Sequence, residues 1–99
     1  MTLDQFRRTL TDAAPPQSLT APLRALWFDG HGDWNQAHSV AQDVEDATGA
    51  WVHAYLHRKE GDLQNAEYWY RRAGKPVATS ALDDEWAAMV TLLLSRVDD

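Results

Sequence analysis

The stretch WVHAYLHRKEGDLQNAEYWYRRA, residues 51–73, decides the fold. It has two apolar stripes of helical period, one on each side of Gly61-Asp62. Glycine after a periodic segment reads as a helix stop, because it adopts the left-handed cap without a Cβ penalty. Aspartate directly after it reads as an N-cap, because its carboxylate accepts from the free N–H groups of the next helix. The stretch is therefore two antiparallel helices joined by a tight turn.

Working outward, the same turn occurs once more, at Gly32-Asp33. Superposing the two pairs requires a shift of 29 residues (61 − 32 = 29). Under that shift Ala25 meets Ala54, Ala37 meets Ala66, Trp27 meets Leu56 and Trp34 meets Leu63. Alanines at matched positions let paired helices cross closely. The rest of the chain fits helices as well. Thr2-x-x-Gln5 is a capping box for a helix over residues 3–12, which Pro15-Pro16 separates from the next. Thr20 with Pro22 opens a second helix, and Asp33, with Gln36 as capping-box partner, opens a third that carries Trp34, Ala37, Val40, Ala41 and Val44. A fourth starts near Ala50, a fifth carries Leu63 to Ala73, and Ser80-x-x-Asp83 caps a sixth with Trp86, Met89, Val90, Leu93 and Leu94. No segment alternates with the period of a strand.

The expectation is a single all-α domain over residues 1–99 with about six helices. Residues 20–47 and 49–75 form the two hairpins, and capping helices lie within 1–14 and 80–97. Unit 51–73 resembles a tetratricopeptide (TPR) or Sel1-like repeat through Ala54, Gly61-Asp62-Leu63, Ala66, Tyr70 and Ala73. Residues 20–47 resemble it more weakly, through Ala25, Gly32-Asp33-Trp34 and Ala37. The shift of 29 is shorter than the ~34-residue period of that family, and two repeats are fewer than usually stand alone. Terminal helices acting as caps would give a compact bundle, and a homodimer is the other way to cover the open faces. The whole chain also resembles a small bacterial family of uncharacterised proteins, which implies no activity.

Composition narrows the function. A formal net charge of −6 works against binding nucleic acid or an anionic membrane surface. The Arg71-Arg72 and Lys75 cluster reads as cations at a helix C-terminus. Cysteine is absent, which excludes thiolate chemistry and makes a reducing cytoplasm the expected location. The first residues have no signal-peptide pattern, and no apolar run is long enough to span a bilayer.

Two constellations remain. The TPR resemblance implies that Trp51, Tyr55 and Arg58 line an inner surface that binds a protein or peptide partner, an activity that needs no cofactor. The alternative for these aromatics is burial in a collapsed bundle, with Arg58 reaching to solvent, and Trp27, Trp34, Trp69 and Trp86 read as core. The second constellation is histidine. His53 and His57 lie one turn apart on one helix face, a spacing that suits chelation of a divalent metal. His38, on the helix before, is placed to approach them as a third ligand, with Gln42, Glu45 and Glu60 as further donors or orienting partners. A structural hydrogen-bonded pair and an acid–base site are the competing uses of the same histidines. Asn65 reads as support for the Asp62 cap, and Asp83-Asp84-Glu85 as negative charge at a helix N-terminus. The interaction module is the leading expectation, and the histidine-centred metal site or small enzyme is the alternative.

Overall fold

The structure, a computed structural model, describes residues 1–97. Six helices follow in order: α1 (Leu3–Thr9), α2 (Ala21–Gly30), α3 (Trp34–Gln42), α4 (Ala47–Glu60), α5 (Leu63–Ala73) and α6 (Leu82–Val97). Among the described residues there is no strand.

The two Gly-Asp turns share one geometry. Gly32 and Gly61 have φ of 97° and 89°, where a side chain would be strained. After each helix the N–H of the glycine bonds three residues back, Gly32 to Asp29 and Gly61 to Arg58. The next N–H bonds five residues back, Asp33 to Phe28 at 2.8 Å and Asp62 to His57 at 3.0 Å. That pair of bonds is a Schellman closure, and each bond recurs after 29 residues. Asp33 accepts from the Gln36 N–H and Asp62 from the Asn65 N–H, so both second helices start with a satisfied donor. The Asn65 amide also reaches Asp62, the supporting role expected of it. Ala25, Ala37, Ala54 and Ala66 are all buried, and α2 packs on α3 as α4 packs on α5.

Some boundaries differ from the sequence reading. α1 ends at Thr9, three residues early, and α3 ends at Gln42, so Val44 lies outside it. α4 begins at Ala47 because Asp46 caps it, accepting from the Gly49 N–H at 2.9 Å. Gly49 falls in the first turn and stops nothing. Ser80 does not cap α6; Ala81 holds that position, and its carbonyl accepts from the Asp84 and Glu85 N–H groups. Thr20 stands at the α2 N-cap without a side-chain cap bond.

The helices close into a bundle with a radius of gyration of 12.4 Å, matching the ~13 Å expected of a compact chain of this length. α6 decides this. It does not extend the row of hairpins beyond α5 but runs back across α2 and α4 and meets α1. Trp86 anchors it, with Nε1 donating to the Leu26 carbonyl at 3.0 Å, and Phe6 of α1 packs against the Trp86 ring. α4 is thereby enclosed by α2, α3, α5 and α6, and a helix surrounded this way buries residues on all sides. Val52, His53, Ala54, Tyr55, Leu56 and His57 are six consecutive buried residues on it.

Candidate metal centre

The inner surface expected of Trp51, Tyr55 and Arg58 is taken up by the fold itself. Tyr55 is only 2% exposed, and its hydroxyl donates to Asp29 Oδ2 at 2.8 Å. Arg58 pairs with Glu85 Oε1 at 2.8 Å and also donates to the Ser80 carbonyl. The first bond joins α4 to α2 and the second joins α4 to α6. Trp51 is half-buried, with the Lys75 ammonium 4.3 Å from its ring centroid. Glu85, read from sequence as negative charge at a helix N-terminus, lies in the first turn of α6, is 5% exposed and also accepts from the Tyr70 hydroxyl at 2.6 Å. Its spacing of four residues before Met89 puts it on the buried stripe of α6, a signal that the acidic run obscured. Asp29, likewise buried, pairs with Lys59 at 2.9 Å. Burial, and then the adjacent carboxylates, push the Tyr55 and Tyr70 phenols above their ordinary range, which keeps both as donors.

The histidines do come together. His53 and His57 project from α4 toward α3, where His38 meets them. His53 Nε2 and His38 Nε2 are 2.9 Å apart. One ligand atom from each of the three histidines lies within 4.8 Å of the others. The rings of His53 and His57 are stacked, with centroids 4.7 Å apart, and the His38 ring stands edge-on to both. Hydrogen bonding sets which nitrogen of His57 faces the group. Its Nδ1 lies 2.6 Å from Glu60 Oε2, so an Nδ1–H donating to the carboxylate leaves Nε2 free to accept. Glu60 thus stands as the orienting partner. Gln42 and Glu45 are exposed, and Glu45 is not among the gathered donors. His31 belongs elsewhere: it stacks on Trp27 and bonds to the Leu10 carbonyl at 2.7 Å.

Two tryptophans wall the group. Trp69 stacks on His53 with centroids 4.0 Å apart, and Trp34 stacks on His38 at 5.0 Å. Both were expected in the core and are instead half-buried at the rim of the cluster. The Trp34 indole N–H donates to the Leu56 carbonyl at 2.8 Å, which fixes the ring across α3 and α4. Sequence spacing gave no sign that these rings serve the histidines, because a tryptophan at helical period looks the same in either role.

The surroundings disfavour protonation. Burial, followed by the neighbouring His38 and His57, lowers the pKa of His53 to about 4. His38 is lowered too, by burial and then by His57, with Glu60 acting in the opposite direction. Two of the three imidazoles are therefore neutral at pH 7, the form that ligates metal. The 2.9 Å spacing is that of a hydrogen bond between neutral rings. In a tetrahedral zinc site the nitrogens are about 3.3 Å apart, given Zn–N bonds of about 2.0–2.1 Å, so this pair has to open by only about 0.4 Å.

Compared with family models, with curated proteins and with solved structures, the chain matches none. Among the described residues no helix is long and apolar enough to cross a membrane.

Proposed function

We propose that this protein binds a divalent transition metal through His38, His53 and His57. The observation that carries the proposal is the gathering of three imidazole nitrogens, from two different helices, within 4.8 Å of one another. Imidazole donors suit zinc, copper and nickel better than calcium or magnesium, which take oxygen. Glu60 on His57 is the carboxylate–histidine partnership that fixes tautomer and ring direction in such sites. The two tryptophan rings give the donors apolar neighbours on His38 and His53.

Calorimetric titration of zinc into tag-free, metal-stripped protein tests the proposal. One zinc per chain is the expected stoichiometry. Free zinc at one hundred times Kd stabilises the fold by about 2.7 kcal/mol, which raises Tm by on the order of 10 °C in a chain of this length. An unaltered Tm with zinc, nickel and copper, together with no heat of binding, would leave the histidines as a structural hydrogen-bonded group.

A second reading, a TPR- or Sel1-like module that binds a protein or peptide, draws its support from the shared 29-residue register of the turns. A partner on the inner face would have to displace α6, which packs there. Amide hydrogen exchange tests this. The reading requires α6 to open well before α4, and equal protection of the two helices removes it.

A further inference from the structure

Tetrahedral zinc takes four donors, and sites with three protein ligands keep the fourth for water or substrate. The histidine group contributes three. Among the described residues no other His, Cys, Asp or Glu donor joins those three atoms. Glu60 is held at Nδ1 of His57, the nitrogen directed away from the group when Nε2 ligates, so it is occupied as an orienting partner.

The group is also reachable. His38, Trp34 and Trp69 are all half-buried, so the donors lie at the edge of the bundle. Imidazole ligands carry no charge, so a dication held by three of them keeps its full charge and favours an anionic fourth ligand over a neutral or cationic one. The two indole walls restrict that ligand to a small one.

We infer, building on the metal-site reading above, that the bound metal keeps one coordination position open to solvent and that this position takes a small anion. The class is a monoanionic oxygen or nitrogen donor, such as a carboxylate, bicarbonate or azide. The chain's own contributions are the three imidazoles that would hold the metal and Glu60 that orients one of them.

Cobalt(II) substitution tests this with the full chain, free of any histidine tag. Cobalt bound by three imidazoles gives a ligand-field absorption that changes when its fourth ligand changes. The expected results are saturation at one cobalt per chain and a saturable spectral shift on adding azide. A saturated cobalt spectrum that azide leaves unchanged overturns the open position and leaves metal binding standing. Failure to bind cobalt at all removes both this inference and the metal reading beneath it.

Discussion

The two hairpins close through the same turn and yet contain different chemistry. Shifting His53 and His57 back by 29 residues lands on Arg24 and Phe28 of α2, both half-buried. The matched backbone thus presents a cation and an aromatic ring in one hairpin and two imidazoles in the other. The second helices differ as well. Trp34 of α3 is held across the α3–α4 seam, while its counterpart Leu63 of α5 is 60% exposed. Position in the bundle explains the second difference. α3 packs between α2 and α4, whereas its counterpart α5 packs chiefly on α4, so equivalent residues meet protein in one hairpin and water in the other. A repeated turn therefore dictates a path for the chain, and the neighbours dictate what each repeat can do.

The attachment of α6 gives the largest expected effect. α6 binds the first hairpin through Trp86 and the second through the Glu85 carboxylate. Glu85→Ala should destabilise the protein by about 3 kcal/mol in urea unfolding, because it leaves a shielded Arg58 and the Tyr70 hydroxyl without their partner. A loss under 1 kcal/mol would mean that α6 holds both hairpins by apolar packing alone.

Next comes the contrast between the histidines and their counterparts. His53→Ala should weaken zinc binding by at least about one hundredfold, close to 2.7 kcal/mol, since it removes a ligand outright. Arg24→Ala, the matched change in α2, should leave zinc affinity within about twofold. Equal effects from the two variants would place the metal somewhere other than the α3–α4 seam.

Acid should then separate the hairpins. In metal-free protein His53 has a folded pKa near 4 against an unfolded value of about 6.5, so between those pH values the unfolded chain binds more protons. Stability should fall as pH drops through that window, by on the order of 2 kcal/mol. The groups facing His53 are His38 and His57, with Glu60 beyond, and the lowered pKa of His38 acts in the same direction. Denaturant midpoints at pH 7 and pH 4.5 in a chelator, for wild type and His53→Ala, measure it. The same decline in both proteins would assign the acid sensitivity to groups other than His53.

The smallest effect should be shared. Asp33→Ala and Asp62→Ala each remove one cap bond and should each cost about 1 kcal/mol. A large inequality would show that one turn carries strain that its matched geometry hides.

Much of the architecture was legible along the chain. The Gly-Asp turns, the alanine pairs and the Thr2–Gln5 capping box are local devices, and local bonding acts between residues a few positions apart. The spacing of His53 and His57 showed that they share a face, and His38 could be placed near them because α3 and α4 are sequential neighbours. Three features were not legible in this way. Tyr55 and Arg58 could be read as available or as buried, because nothing local shows that α2 and α6 close over them. Glu85 looked solvated because its partners lie 15 and 27 residues away. Trp34 and Trp69 looked like core because helical period reports that a side chain faces inward, not which group it meets there. The sequence by itself determined the six helices, their turns and the pairing within each hairpin. Only the tertiary structure decided the path of α6, which is set by long-range burial of apolar surface. That path fills the face expected for a partner and helps to enclose α4, where the histidines meet.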